Sequence, residues 1–329
     1  MSEGNGDGRV PVGDDLERRR PAPLVFAPAP EPDYAPPRDS SRTPLLLFAL
    51  TVLSTLAVGT EFALAYASNR APFANGFFFY WEIAREPSLL LLGIPFSFTL
   101  LGILLAHELG HYYACRYYGI AATYPYFIPF PTIIGTMGAF IRIRSPIVNR
   151  RALFDVGLAG PVVGFLFAAP ALAIAIVYSK VVPAAQVDAP LVFGEPLLSR
   201  MLMAVLRPGV AVEDLLLHPV GRAAWVGLFA TALNLLPAGQ LDGGHIVYAL
   251  SGRYHRRISI AVALSLIPLG LLMNWHGWLL WAGLLLVFGL RHPRLLDPWE
   301  PLDSSRRIWA AIALLIFALC FTPVPLAER

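Results

Sequence analysis

The sequence predicts an all-α polytopic membrane protein with about seven transmembrane helices and a re-entrant β-hairpin between the second and third of them. The first observation is compositional: 56% of the 329 residues are hydrophobic and only 14% are charged, whereas a soluble domain carries about a quarter charged residues. The second is that several apolar stretches are long enough to cross a bilayer. The third is one further apolar stretch that prolines and glycines interrupt, so it cannot be a straight spanning helix.

The N-terminal 42 residues differ from the rest of the chain. They are polar and rich in proline, and they carry too few apolar residues to form a packed core. We therefore expect residues 1–42 to form a disordered cytosolic tail and residues 43–329 to form one transmembrane domain. The acidic residues of the tail argue against an organelle transit peptide, which is typically poor in them.

Two spans and the interrupted stretch come next. Span one is expected from about Pro44 to Tyr66, and span two from about Ser88 to Cys115 with a bend at Pro95. The stretch from Tyr118 to Arg144 is typical of a re-entrant loop or hairpin that protein shields from lipid. The residues that interrupt it are Pro125, Pro129, Pro131, Gly135 and Gly138.

Further spans are expected after the hairpin. Span three covers about Leu153 to Tyr178, and span four covers about Arg222 to Leu250 with an interruption near Pro237. Residues 180–219 form the loop between them, with a short amphipathic helix from Leu197 to Leu206. The last three spans are expected at about Ile258–Met273, Trp278–Leu290 and Ile308–Phe321.

Arginine residues gather at alternate ends of these spans. Alternating crossings place all the groups on one side, which the positive-inside rule assigns to the cytosol together with the N-terminus. Lys180 is the single lysine, and this bias toward arginine suits a GC-rich bacterial genome, so we expect a bacterial inner (cell) membrane. The groups are Arg18–Arg20 with Arg38 and Arg42; Arg142, Arg144, Arg150 and Arg151; Arg253, Arg256 and Arg257; and Arg291, Arg294, Arg306 and Arg307.

The motif His107-Glu108-Leu109-Gly110-His111 lies at the inner end of span two. Two histidines at this spacing lie on one face of a helix, so both imidazoles can reach one metal ion while Glu108 handles the proton of a water molecule. A chance match on a solvated helix is the alternative. The uncharged run before the motif disfavours it, because ionisable groups buried in a membrane are costly unless they are paired or bind a metal.

Asp242 is a candidate third metal ligand. His111 lies five residues before the basic Arg116, and Asp242 lies eleven residues before Arg253, in two spans that run in the same direction. With a rise of about 1.5 Å per residue, the two sites lie at comparable depth. Alone, Asp-Gly-Gly would predict an interfacial turn, but beside the histidines it predicts two His and one carboxylate with water in the fourth position.

These residues resemble the site-2 protease family of intramembrane zinc metalloproteases, in a compact form without a PDZ or CBS domain. The segment Asn234-Leu235-Leu236-Pro237-Ala238-Gly239-Gln240-Leu241-Asp242-Gly243 keeps every fixed position of the family motif N-x-x-P-x-x-x-L-D-G. The segments Gly135–Gly138 and Ala159–Pro161 also resemble the family core. The resemblance covers about Leu100 to Leu250, the expected catalytic core of a metalloprotease domain over residues 43–329.

The resemblance implies a role for each motif residue. His107, His111 and Asp242 match the ligands of one Zn²⁺ per chain, and Glu108 matches the general base and acid. Asn234 matches a residue that hydrogen-bonds the substrate or the developing oxyanion. A hydrogen bond between helices is the equally open alternative for Asn234.

The function that follows is hydrolysis of peptide bonds in transmembrane segments. The expected substrates are single-span membrane proteins or leftover signal peptides in the lipid bilayer, with no nucleic-acid partner. The segment from Tyr126 to Arg144 resembles the family's re-entrant hairpin, whose edge can pair with an unwound substrate. Oligomeric state stays open.

Two alternative functions remain to be weighed. The first is the other class of multispan zinc protease, whose third ligand is a glutamate, and the Leu-Asp-Gly motif disfavours it. The second is a metal transporter or receptor with an inert zinc site, for which ionisable residues are expected along several spans. Outside the motifs, we expect Glu61 to reach outward to water and His245 to be an interfacial histidine.

Overall fold

The computed structural model describes residues 42–74, 76–183, 191–288, 295–297 and 299–328, and these residues are mostly helical. Four helical stretches among them are long and apolar enough to cross a membrane, which confirms a polytopic membrane protein. The larger number of about seven spans stays a prediction. The disordered tail also stays a prediction, because residues 1–41 lie outside the described part of the chain. The four stretches are Arg42–Ala67, Pro87–Tyr117, Arg150–Tyr178 and Asp242–Leu272.

The first half of the chain follows the expected spans closely. Helix α1 (Arg42–Ala67) is followed by the short α2 (Phe79–Arg85), and a 3₁₀ segment over Pro87–Gly93 leads into α3 (Ile94–Tyr117). The 3₁₀ segment packs so closely on α1 that a Cβ atom at Gly93 would lie 2.0 Å from the Leu56 carbonyl oxygen. This contact places α3, which carries the two histidines, directly beside α1.

A two-stranded antiparallel hairpin follows α3. Strand β1 (Tyr126–Pro129) pairs with β2 (Thr136–Phe140), with Phe127 opposite Ala139. The turn contains Gly135 at φ +83°, a conformation that favours glycine. The Ser54 hydroxyl of α1 donates to the Gly135 carbonyl at 2.6 Å. The broken apolar stretch therefore contains a β-hairpin that rests on α1. Its re-entrant course in the membrane stays a prediction.

Helix α4 (Arg150–Tyr178) crosses the molecule beside α3. It begins at the Asn149 side chain, which accepts a hydrogen bond from the Ala152 N–H at 2.9 Å and satisfies one of the free donors of the first turn. The loop after α4 is more ordered than the sequence suggests. Strand β3 (Lys180–Val181) pairs with β5 (Leu215–Leu216), and the amphipathic α5 (Leu197–Leu206) lies between these strands in the sequence. Strand β4 (Leu191–Phe193) pairs with β6 (Leu326–Glu328).

The prediction for spans four and five was partly wrong. Helix α6 (Pro219–Asn234) ends before Pro237, and α7 begins at Asp242 and continues to Leu272. The loop expected between Leu250 and Ile258 is instead a kink at Ser251 (φ −155°, ψ 74°) inside α7. The polar, arginine-rich sequence there suggested a loop, but a single non-helical residue is enough to change the direction of the helix.

Two shorter helices complete the described chain: α8 (Gly277–Phe288) and α9 (Ser304–Cys320). Helix α9 is tied to the helices of the first half at its N-terminal end. The Arg306 guanidinium forms a two-point ion pair with Asp155 of α4, at 2.9 and 2.5 Å, and also donates to the Tyr118 hydroxyl at 3.1 Å. Arg306 therefore joins α9 to α4 and to the end of α3.

The expectation for Glu61 was wrong. Its side chain is buried in α1 and accepts hydrogen bonds from both terminal nitrogens of Arg70, at 2.7 and 3.1 Å, and from the Phe73 N–H at 2.8 Å. The chain turns back after α1 ends, which brings Arg70 over a carboxylate nine residues earlier. A partner beyond the end of a helix is not visible in helical spacing alone.

Candidate metal centre

The two histidines of α3 meet as their spacing predicts. The Nε2 atoms of His107 and His111 lie 3.1 Å apart, and both side chains are buried. One turn of helix separates the residues, so the two rings lie side by side with their centroids 4.8 Å apart. Helix α3 therefore presents two imidazole nitrogens to the same point.

Asp242, at the start of α7, completes the set. Its Oδ2 atom lies 3.4 Å from the Nε2 atom of His107 and 3.4 Å from that of His111. Tetrahedral zinc with ligand distances of 2.0–2.2 Å requires ligand atoms about 3.3 Å apart. The three measured separations match that requirement, so two nitrogens and one carboxylate oxygen fit the zinc donor set. The structure thus brings together all three residues predicted as ligands.

A backbone carbonyl fixes the protonation of His111. The Nδ1 atom lies 2.7 Å from the Val156 carbonyl oxygen, which can only accept a hydrogen bond. Nδ1 therefore carries the proton, and the lone pair of Nε2 points toward Asp242 and His107. Hydrogen bonds of this kind set the tautomer and the ring orientation of metal-binding histidines.

Small residues let α4 approach the histidines. A Cβ atom at Gly160 would lie 2.1 Å from the His111 Nε2 atom, and one at Gly164 would lie 3.0 Å from the His107 Nδ1 atom. From the other side, a Cβ atom at Gly110 would lie 2.6 Å from the Ala159 carbonyl oxygen. Gly160 and Gly164 of α4 therefore provide the space that the two imidazole rings occupy.

Glu108 lies beside the ligand face rather than on it. Its side chain is buried and interacts electrostatically with both His111 and Asp242. Its carboxylate also interacts with the backbone N–H of Ile141, the residue after β2. The hairpin therefore reaches the centre, a contact that the side-chain pattern does not reveal.

Asn234, the last residue of α6, also reaches the centre. Its Nδ2 atom lies 3.2 Å from the His107 Nε2 atom. Of the two possibilities that the sequence left open, this contact is the hydrogen bond between helices, since it links α6 to α3. A role of Asn234 toward substrate stays a prediction.

The segment between α6 and α7 folds tightly over the start of α7. A Cβ atom at Gly243 would lie 2.2 Å from the Leu235 carbonyl oxygen, and one at Gly244 would lie 2.4 Å from the Gly239 carbonyl oxygen. The two glycines after Asp242 therefore let the helix begin against its own preceding loop. His245 is half-buried, with its Cβ atom packed against Gly157 of α4.

The comparisons with known proteins match the region that contains this centre. Residues 95–273 match the model of the family described as Peptidase family M50, which is more than half of the chain. The match includes α4, α6, α7 and all of α3 but its first residue, and so it includes every residue of the metal centre.

Several plant proteins are similar over a longer range. The chain is 32% identical over 295 residues to "Probable zinc metalloprotease EGY1, chloroplastic" of Arabidopsis thaliana, which covers 85% of this chain and 52% of the relative. The rice protein of the same name (Oryza sativa subsp. japonica) is 30% identical over 87% of this chain and 50% of its own length. "Probable zinc metalloprotease EGY2, chloroplastic" of Oryza sativa subsp. indica is 33% identical, covering 69% of this chain and 42% of the relative.

The chain thus spans about half the length of the curated relatives it matches. No solved structure matches this chain.

Proposed function

Because the chain belongs to peptidase family M50, the site-2 protease type of zinc metalloprotease, we propose that it hydrolyses peptide bonds within transmembrane segments of membrane proteins. The observation that carries the proposal is the set of ligand atoms of His107, His111 and Asp242, which lie 3.1–3.4 Å apart beside the carboxylate of Glu108. This arrangement has the composition of a catalytic site rather than a structural one, since three protein ligands leave a fourth position for water or substrate.

His107, His111 and Asp242 would hold one Zn²⁺ ion through Nε2, Nε2 and Oδ2. When bound, zinc acts as a Lewis acid on the scissile carbonyl and makes a neighbouring water molecule more acidic. The chain itself keeps the three ligands in place: α3 sets the spacing of the histidines, the Val156 carbonyl fixes the His111 ring, and α7 begins at the aspartate.

Glu108 is the residue proposed to move the proton. Its carboxylate takes a proton from the attacking water molecule and later gives it to the leaving amine nitrogen. The backbone N–H of Ile141 interacts with this carboxylate and is proposed to orient it toward the water molecule. Adjacent positions on a helix lie about 100° apart, so Glu108 reaches the site from the side and does not occupy a ligand position.

Asn234 is proposed to bind the reacting carbonyl group. Its amide N–H₂ lies at the edge of the ligand set, 3.2 Å from the His107 Nε2 atom, where a donor can reach the oxygen of a bound peptide. A donor aimed at this oxygen stabilises the negative charge that develops on it in the transition state.

The hairpin is proposed to enter the membrane and to receive the substrate as an added strand. A helical peptide bond is shielded and its carbonyl already accepts a hydrogen bond, so the substrate has to unwind before it can be cut. In the described part of the chain, β2 pairs only with β1, and its end at Ile141 contacts Glu108. A substrate strand on the outer edge of β2 would therefore be led toward the centre.

The seven crossings and their orientation form part of the same proposal. Counting α6 with the start of α7 as one span, and the part of α7 after Ser251 as the next, gives seven with α1, α3, α4, α8 and α9. Arginine residues then lie at the cytosolic ends, and the metal centre lies near the cytosolic face. The named relatives are chloroplastic, so they do not support the prediction of a bacterial membrane.

The test is cleavage of a synthetic single-span peptide by the full chain in detergent micelles, with products identified by mass spectrometry. Removal of the metal with a chelator should abolish cleavage, and added Zn²⁺ should restore it. Two results together would overturn the proposal in favour of a metal transporter. The zinc-loaded protein would cleave none of several such peptides, and vesicles that contain the protein would take up Zn²⁺.

A further inference from the structure

Gly239 lies three residues before Asp242, and side chains from a distant part of the chain bind both of its backbone polar groups. Its N–H donates to the Ser259 hydroxyl oxygen at 3.0 Å. Its carbonyl oxygen lies 3.0 Å from the Nε2 atom of His255. Since a carbonyl oxygen can only accept, His255 Nε2 carries a proton and donates it. Two buried side chains thus hold the backbone of one residue, through the peptide unit before it and the peptide unit after it.

The kink in α7 makes these contacts possible. In a straight helix, Ser259 would lie about 25 Å from Asp242, at 1.5 Å per residue. Gly239 can lie no more than about 10 Å from Asp242, because three extended residues reach no further. The observed hydrogen bond therefore requires α7 to turn back, and the non-helical residue Ser251 provides the turn.

The environment of both side chains is closed. His255 and Ser259 are 2% and 1% exposed. The ring of Tyr248 packs edge-on against His255, with centroids 5.4 Å apart at an angle of 73°. Gly239 itself has φ +61°, a left-handed backbone conformation that favours glycine.

The backbone of Gly239 is in direct contact with the first turn of α7, which carries Asp242. The Gly239 carbonyl oxygen lies so close to Gly244 that a Cβ atom there would approach within 2.4 Å. On the other side, the Leu241 N–H donates to the Ala238 carbonyl at 3.3 Å. Asp242 has only a short side chain, so the position of its carboxylate follows the backbone of this turn.

We propose that His255 and Ser259 are positioning residues for the metal ligand Asp242. They fix the N–H and the carbonyl group of Gly239. The Gly239 backbone in turn fixes the first turn of α7, so that the Asp242 carboxylate meets the two histidines at the distances that zinc requires. The inference rests on the proposed zinc site. It also gives the kink at Ser251 a role, since the second half of α7 supports the ligand carried by the first.

The variants are designed to separate positioning from stability. His255→Leu removes the donor, His255→Gln retains an amide donor at a similar reach, and Ser259→Ala removes a single oxygen atom. Ser265→Ala is the matched control: an exposed serine of the same helix whose hydroxyl donates to the Val262 carbonyl of that helix. Each full-length protein is purified in detergent, and its thermal unfolding confirms that it is folded.

The first measurement is Zn²⁺ affinity, by competition with a chromophoric chelator. We expect His255→Leu and Ser259→Ala to weaken it by about 10-fold or more, the usual effect of losing support behind a metal ligand. His255→Gln should recover most of the affinity, and Ser265→Ala should match the wild type. The double variant His255→Leu/Ser259→Ala should lose less than the two separate effects combined, because both side chains hold the backbone of the same residue, Gly239.

The second measurement is the visible absorption spectrum of the Co²⁺-loaded protein, which reports ligand geometry independently of cleavage. The spectrum should change in His255→Leu and Ser259→Ala but not in Ser265→Ala. If His255→Leu fails to fold, Ser259→Ala decides: a folded Ser259→Ala protein with wild-type Zn²⁺ affinity and spectrum would overturn the inference. A wild-type protein that binds no Zn²⁺ would instead overturn the proposed function itself.

Discussion

The side chains of the metal centre depend on backbone groups that no sequence motif contains. The Val156 carbonyl oxygen fixes the tautomer of His111, and the Ile141 N–H interacts with the Glu108 carboxylate. Both groups come from elements other than α3. Every residue has such a donor and acceptor, so only the fold determines which ones face the site.

At the residue scale, the clearest test of the ligand set is Asp242→Ala. The variant loses the one carboxylate oxygen in the set, so we expect purified protein to retain only a small fraction of the approximately one Zn²⁺ per chain that the wild type should hold. Zinc content is measured by atomic absorption on protein in detergent. Glu213→Ala, which removes an exposed carboxylate elsewhere, should retain its zinc. Full zinc retention by Asp242→Ala would remove this residue from the ligands.

The sequence was sufficient to predict the side chains of the centre but not their support. His107, His111 and Asp242 have the spacing and order of a known motif, and the structure places their ligand atoms together. Nothing in the pattern distinguishes His255 from His245, yet it is His255 that binds the Gly239 carbonyl in the loop between α6 and α7. The difference depends on a kink at one residue, which composition does not encode.

At the element scale, the centre depends on the fit between α3 and α4. Gly160 faces the His111 ring, and Gly110 faces the backbone at Ala159. Close approach of two helices at small residues is common in membranes, where packing rather than the hydrophobic effect holds helices together. Here the same glycines also determine where an imidazole can lie.

Gly160→Ala should therefore disrupt the centre. The added Cβ atom would lie 2.1 Å from the His111 Nε2 atom, so either the ring or the helix has to move. We expect Zn²⁺ affinity to fall by about 10-fold or more, as for other changes that displace a ligand. Gly102→Ala is the control on α3, because a Cβ atom there meets nothing within 4 Å. Similar Zn²⁺ affinities for both variants would show that the contact between Gly160 and the His111 ring does not determine the position of the ring.

The elements also show where apolar patterns fail as predictors. The spans corresponding to α1, α3 and α4 were predicted within a few residues, since long uninterrupted apolar runs leave little choice in a membrane. Near Pro237 and Ser251, prolines and glycines that interrupt helices lie close to arginines in the sequence. There the pattern indicated that an interruption exists, but packing determined that it would be a tight loop at one place and a kink at the other.

At the scale of the whole molecule, the arginine distribution makes a prediction about orientation. Val148 lies between arginine groups at the start of α4, and Val181 lies just past its other end, and both are half exposed. A cysteine at position 148 should react with a membrane-impermeant maleimide only from the cytosolic side, and one at position 181 only from the opposite side. The native cysteines, Cys115 and Cys320, are buried and should give little background. The reverse pattern of labelling would contradict the cytosolic placement of the centre.

The ion pair of Arg306 makes a prediction about assembly of the helices. Burial and the hydrogen bond to Asp155 raise the pKa of Tyr118 to about 12, so its hydroxyl stays protonated and donates to the carboxylate at neutral pH. Arg306→Met leaves that partly buried carboxylate without its cation, which we expect to destabilise the protein by about 1–3 kcal/mol.

Thermal unfolding in detergent measures this effect, as a midpoint lowered by several degrees. Arg307→Met is the matched control, because it removes the same charge from an exposed neighbour on the same helix. Equal midpoints for the two variants would indicate that α9 is not held through Arg306.

The most direct test of the catalytic role is Glu108→Gln. Glutamine keeps the size of the side chain and leaves both histidines and Asp242 free to bind zinc, but it cannot accept a proton from water. Cleavage of the single-span peptide should fall by about 10²–10⁴-fold or more, the usual effect of losing a general base. Zinc content, measured on the same preparations, should equal that of the wild type, and the variant should retain bound, uncut substrate. Cleavage by Glu108→Gln at the wild-type rate, with zinc in place, would contradict the proposal that this centre is a protease site.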